Sequence, residues 1–368
     1  MMRKALLAVL ILFCLTPFAA AAQSVQTETE PETFGAETLE DALDEQTRQA
    51  LDGVSPTSGG SFGRQLLKIL QDALTSSGGS IRAAVLAGGK VLAAAMLCAF
   101  AANVHDGTGL KAPALIAGAF AMTALCTRDV QSMIGLARET ILKISDFTAL
   151  LLPVLSASLA ASGGSVSAGA LLAGSSFMMS FLTKLSSGIL IPLVYLYILL
   201  SAAEAAMDGG GLGKIRELAG WSVKLLTKGV CALFTAYLSL SRLLSAPADE
   251  AAVKAAQAAF SGMVPVVGSI LADASESLLA GAGLIRSSAG LFGMLAVFAM
   301  AAGVFLRLGA FYLALKITGA IGADAVCKQH TALISNLSSA MGYMLAIAGS
   351  TLWMSIVSTA CFLKAVRI

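Results

Sequence analysis

Charge is scarce in this sequence. Asp, Glu, Lys and Arg make up 12% of the 368 residues, against roughly a quarter in an ordinary soluble domain. Hydrophobic residues reach 57% and the mean hydropathy is +0.82. That balance excludes a water-soluble globular fold. It leaves an all-α, polytopic integral membrane bundle, because long apolar runs cross a bilayer as helices.

Chemistry-bearing residues are equally sparse. Histidine occurs only as His105 and His330, both in expected connectors. Beyond Cys14, the cysteines are Cys98, Cys126, Cys231, Cys327 and Cys361, none of them in a CxxC pair. An odd set of isolated thiols is not a disulfide framework. Cys327 and His330 share the short run CKQH, and two ligands make no zinc site. HExxH, GxSxG and Walker A patterns are missing, and GGLGK at 210–214 lacks the spacing and trailing Ser/Thr of a phosphate loop. No catalytic residue, cofactor or metal is expected, and the chain reads as non-enzymatic. Basic residues are scattered singly, so there is no nucleic-acid footprint.

What charge there is falls unevenly. Residues 28–52 hold nine acidic residues against Arg48, and the rest from Gly53 onward holds 21 basic and 13 acidic residues. Ahead of the acidic stretch, Arg3 and Lys4 precede an apolar run that ends at Ala20, Ala21 and Ala22. This pattern predicts a signal peptide over 1–22. An acidic, disordered, exported linker then covers 23–60, its first periodic hydrophobics being Leu39, Leu43 and Leu51. Residues 61–80 predict an amphipathic interfacial helix with Phe62, Leu66, Ile69, Leu70, Ala73 and Leu74 on one face.

Residues 81–368 predict the multi-span membrane domain. Candidate spans are 83–104, 111–127, 147–162, 166–183, 188–206, 225–244, 263–285, 290–315 and 333–362. Spans 147–162 and 166–183 are short for a crossing and pair as a hairpin, re-entrant or complete, through Ser162, Gly163 and Gly164. Connectors 129–146 and 211–224 read as interfacial helices with their charges in the headgroup layer. Both are basic, so the positive-inside rule wants an even number of crossings between them, yet three apolar segments lie there. One of those is re-entrant or merged with a neighbour, or the rule fails. Stripes of small residues, Ser165-Gly169-Ala173 and Gly342-Ala346-Ser350, supply helix-packing faces within the chain or between copies.

The informative residues are charges within spans. Lys90 and Lys316 lie near expected span ends and can snorkel. Arg307 sits deeper and needs a partner. Asp273 and Glu276 share a helix face after a break made by Pro265 and Gly268. Three readings stand for that stretch: a surface-lying helix, a span whose acids meet Arg307 or line a polar path, or the coupling site of a transporter.

Residues 147–164 (FTALLLPVLSASLAASGG), 229–244 (GVCALFTAYLSLSRLL) and 260–290 (FSGMVPVVGSILADASESLLAGAGLIRSSAG), following a leader and an acidic stretch, resemble the stage III sporulation protein AE family of endospore-forming bacteria. The resemblance implies a non-enzymatic part of a secretion-like channel between mother cell and forespore, needed for forespore development. It implies a place in the mother-cell-derived membrane around the forespore. Its partners would be other stage III membrane proteins, a secretion-type ATPase, ring-forming components, lipid and other copies of the chain. Pro153, Pro265, Gly268 and Asp273 match as structural or pathway positions. The alternative is a stand-alone secondary transporter with Asp273 and Glu276 in its polar pathway.

Overall fold

A computed structural model describes residues 39, 41–51, 62–104, 111–161, 165–207, 211–263, 268–323 and 326–364, with side chains not described over 241–287 and at a few segment ends. The expected signal peptide, most of residues 23–40, residues 52–61, the 162–164 turn, Pro265 and His105 lie outside the described set.

Among the described residues the regular structure is helical throughout. In chain order the helices are α1 (Glu45–Ala50), α2 (Phe62–Ser76), α3 (Gly78–Val104), α4 (Lys111–Ala161), α5 (Ser165–Leu185), a π-helical turn (Ser186–Leu190), α6 (Ile191–Ala206), α7 (Gly211–Met263), α8 (Gly268–Ile321) and α9 (Lys328–Lys364). Six described helical stretches are long and apolar enough to cross a membrane. The chain is a multi-pass, all-α membrane protein.

Several expected elements fuse. Segments 111–127, 129–146 and 147–162 are one helix, α4, of 51 residues. The reason is an inward stripe that never breaks: Met122, Cys126, Val130, Ile134, Ala137, Ile141, Ile144, Leu151 and Leu155 are all buried, at a 3.6-residue period. Only the outward side changes, from apolar to charged and back. Connector 129–146 is therefore the middle of a long helix and not a separate interfacial one. Connector 211–224 likewise opens the 53-residue α7, and the part of 263–285 from Gly268 onward joins 290–315 within the 54-residue α8.

Segments 166–183 and 188–206 are joined through the π turn. Pro192 follows it and has no N–H to complete an α-helical bond, which favours the widened turn. That merger leaves two apolar segments, rather than three, between the basic connectors. The 147–162/166–183 hairpin is present, with α5 returning antiparallel along α4 and the Ser156 hydroxyl donating to the Ala168 carbonyl at 3.3 Å.

The core is the trio α4, α8 and α9, with α3 on α4 and α8, α5 on α4 and α7, and the α6–α7 hairpin against α9. Close approaches fix the register. Gly293 of α8 faces Leu151 of α4, Gly88 of α3 faces Thr318 and Ala314 of α8, and Gly118 of α4 faces Cys98 and His330. A buried hydrogen bond of 2.7 Å joins Thr148 to Ser355 of α9. His330 is fully buried in the first turn of α9 and is not a loop imidazole.

The acidic segment docks on the bundle. Leu39, Leu43 and Leu51 join the core, and the Asp44 carboxylate caps α1 by accepting from the Thr47 N–H at 3.0 Å. Its other oxygen accepts from Lys143 of α4 at 2.8 Å. Residues 41–51 are thus a packed segment, where the composition predicts a disordered linker. Helix α2 lies against α8, burying Ile69 and half-burying Leu66 and Leu70.

Candidate functional site

The most developed polar constellation joins α6, α7 and α9. Tyr197 and Glu204 are seven residues apart on α6, as are Asn336 and Tyr343 on α9, so each pair occupies one helix face. On α7, Arg216, Gly220 and Lys224 follow at spacings of four. The three faces meet near the facing ends of α6 and α7.

Arg216 is the hub. Its Nε donates to Glu204 Oε2 at 2.6 Å, and its Nη1 donates to Asn336 Oδ1 at 2.9 Å and to the Tyr197 hydroxyl at 3.3 Å. The guanidinium carbon also lies 5.7 Å from the Tyr197 ring centroid. Tyr343 meets that ring edge-on at 5.2 Å, and Lys224 sits 5.5 Å from the Tyr343 centroid. A Cβ on Gly220 would stand 2.7 Å from the Tyr343 hydroxyl and 3.1 Å from the Tyr197 ring. Glycine at this position is what lets the aromatic pair close on α7.

The Arg216 side chain is 15% exposed and Glu204 31%. A charge this far from water is tolerated where every donor finds an acceptor. Here a planar fork spans one carboxylate, one amide and one phenol, a match Lys could not reproduce. The arrangement contains no nucleophile beside a base and no convergent set of ligands. Among the described residues no group of three His, Cys, Asp or Glu side chains could hold a metal ion. Its chemistry is that of a clamp pinning the α6–α7 hairpin to α9.

The residues singled out in the sequence fall elsewhere. Asp273 and Glu276 lie on α8, as does Arg307, at separations of 34 and 31 residues (307−273 and 307−276). Along one helix that is roughly 51 and 46 Å, so the acids do not reach Arg307 within one chain. Arg307 is half-buried, and its Nε is buried with no hydrogen-bond partner among the described residues. Gly268 is the first residue of α8, and Pro153 stands on the exposed side of α4. Of the small-residue stripes, Gly342 packs against Tyr312 while Gly169 faces open space. The glycine that makes the close contact on α5 is Gly174, against Tyr237 of α7.

The clamp itself was legible only in part. Arg216 stands out as a connector charge, but Glu204, Asn336, Tyr197 and Tyr343 do not. The available signal was a Glu before, and an Arg after, the turn-forming run Asp208-Gly209-Gly210-Gly211, which an antiparallel hairpin brings together.

A family profile described as Stage III sporulation protein AE matches residues 49–365. The curated protein "Stage III sporulation protein AE" of Bacillus subtilis (strain 168) is 26% identical over 164 residues, covering 44% of this chain and 40% of that relative. The matched stretch thus spans less than half the length of that protein. No solved structure matches this chain.

Proposed function

The chain belongs to the stage III sporulation protein AE family, and from that premise we propose that it is a non-enzymatic membrane component of a secretion-like channel complex joining mother cell and forespore. A role in sporulation comes with the family. The observation that carries the reading is the extent of the match, residues 49–365, which takes in the described helices from α2 to α9. The clamp fits it: Arg216, Glu204, Asn336 and Tyr197 pin the α6–α7 hairpin to α9, as suits a part that holds a shape. In this reading the chain sits in the mother-cell-derived membrane around the forespore. It contributes to forespore development by assembling with other stage III membrane proteins. A secretion-type ATPase supplies energy, ring-forming components continue the path, and further copies of the chain join the assembly.

Affinity purification from sporulating cells in mild detergent tests this. The expected result is co-purification of other sporulation membrane proteins, with yields that fall when Arg216 is replaced. Recovery of abundant, intact bait with no other sporulation membrane protein would sink the channel reading.

A further inference from the structure

Two fully buried hydroxyls, on Ser175 of α5 and Ser358 of α9, have no hydrogen-bond partner among the described residues. Other hydroxyls on the same helices behave differently. Thr183 donates to the Met179 carbonyl at 2.9 Å and Thr359 to the Ser355 carbonyl at 2.9 Å, each one turn back along its own helix. Ser175 and Ser358 leave that local acceptor unused, and a buried hydroxyl without a partner is costly.

Register brings the two to one height. Ser156 meets Ala168 and Thr183 meets Ser145 across the antiparallel α4–α5 pair. The paired numbers total 324 and 328, so Ser175 stands level with residues 149–153 of α4 (324−175 and 328−175). Helices α4 and α9 run parallel, since Gly118 meets His330 and Thr148 meets Ser355. The offset at the second contact is 207 (355−148), which puts residues 356–360 of α9 at that same level. Ser358 is the middle one of these.

Direction agrees with height. Successive residues turn about 100° round a helix. On α9, Trp353 meets Phe234 of α7, Ser355 meets Thr148 of α4, and Gly349 meets Phe305 of α8. Ser358 points about 140° round from Trp353, between the α7 and α4 directions and away from α8. That is the side taken by α5, which packs on α4, α7 and α9. On α5, Gly174 faces Tyr237 of α7 and Thr183 faces α4. Ser175 lies between those directions, about 100° from Gly174, with the exposed Phe177 on the far side.

The surroundings select the ligand. Stretches 147–161, 165–183 and 331–363 contain no Asp, Glu, Lys or Arg, so an ion here would have no counter-charge. Thr148 gives its one proton to the Ile144 carbonyl at 2.6 Å, so Ser355 donates to Thr148 at 2.7 Å. Ser355 Oγ therefore keeps lone pairs free, one turn from Ser358. Two donors and one acceptor suit a small neutral molecule that both accepts and donates.

We infer that Ser175, Ser358 and Ser355 bind a water molecule between α5 and α9, inside the charge-free part of the bundle. The water accepts from Ser175 and Ser358 and donates to Ser355, three partners being the usual complement of a buried water. It links the α4–α5 pair to the central helix by hydrogen bonds where side-chain packing is otherwise apolar. The site belongs to the helix bundle and is independent of the channel reading.

Ser175→Ala and Ser358→Ala test it in the full chain, unfolded by SDS in mixed micelles. Each change should lower the folded-to-unfolded ratio about threefold to tenfold. The double change should lose little more than the larger single one, because either removes the same water. A single change that leaves the ratio unaltered or raises it marks a dry hydroxyl and would overturn the inference. Losses that multiply would do so too. Solid-state NMR of the chain labelled with 13C-serine, in lipid bilayers, separates water from a direct serine contact. Water protons should transfer to the Cβ of residues 175 and 358, signals assigned by their loss in the two Ala variants. Coupled losses without that transfer mean a direct Ser175–Ser358 bond and count against the water. Exchanging sodium chloride for choline chloride should shift the SDS midpoint of parent and double variant alike. A sodium dependence confined to the parent would make this a cation site and sink the proposal.

Discussion

Replacing Arg216 by Met removes the hub of the clamp while keeping the packing volume of its stem. Three hydrogen bonds go with it, at 2.6, 2.9 and 3.3 Å. What remains matters more than what is lost. Glu204 keeps its charge at 31% exposure, and Asn336 keeps a Tyr197 contact at 3.4 Å. Removing one partner of a fully buried ion pair costs about 3–5 kcal/mol. Glu204 can still reach water, so the cost falls to the bottom of that range or below it, about 2–3 kcal/mol. Arg216→Lys keeps the charge but not the fork, and should lose about 1–2 kcal/mol through the Asn336 and Tyr197 bonds. The assay is reversible unfolding of the purified protein by SDS in mixed micelles, run as a double-mutant cycle with Glu204→Gln. Coupling of about 1–3 kcal/mol between positions 204 and 216 is expected, since residues that share one network are non-additive. An Arg216→Met protein within about 0.5 kcal/mol of the parent, the range of an ordinary surface change, would refute the clamp. Additive single changes would do the same.

Three further outcomes follow from contacts already described. Gly174→Ala should destabilise by about 1–3 kcal/mol, because a Cβ there displaces Tyr237 from its 2.6 Å hydrogen bond to the Ala170 carbonyl. Gly169→Ala, in open space on the same helix, should be neutral or stabilising by up to about 1 kcal/mol; equal losses in the same SDS titration would show that register to be wrong. Burial pushes the Asp44 carboxyl up, but hydrogen bonds from Lys143 and Thr47 outweigh it and hold it below its ordinary 3.8. A lowered folded value means docking of residues 41–51 is fully supported above 3.8 and weakens as pH falls through the lowered value. Hydrogen exchange of the α1 amides, corrected for intrinsic rate, should show protection at pH 6 that shrinks toward pH 3 and is already reduced at pH 6 in Asp44→Asn. Finally, Asp273→Asn with Glu276→Gln should leave sporulation frequency within about twofold if these acids only face water or protein. A collapse of several orders of magnitude, with normal protein levels, would favour the polar-pathway reading.

The class of fold was legible because composition decides the solvent. The antiparallel pairing of α4 and α5 was legible because Gly163 and Gly164 interrupt two apolar runs in the sequence. The length of α4 was not, since a window over 129–146 averages both faces and sees Asp129, Arg138 and Lys143 before it sees Val130, Ile134, Ala137 and Ile141. Inward periodicity carried the information, and composition concealed it. Acidic composition likewise hid the docking of residues 41–51, although Leu39, Leu43 and Leu51 were visible as periodic hydrophobics. The clamp depends on Asn336 and Glu204, single polar residues whose meaning comes from the register of three helices. No local pattern reports such a register. A meeting of Arg307 with the 273–276 acids was one of three readings open in the sequence; the continuity of α8 keeps them apart within one chain.

The unbroken length of α4 has a mechanical side. Its inward stripe is seated along most of its course, so the helix is braced as a stiff rod from Lys111 to Ala161. A tilt of five degrees about one end of a rod of about 76 Å carries the far end about 7 Å sideways. A small rotation at one end of this helix therefore arrives at the other as a movement wider than an α-helical turn is tall.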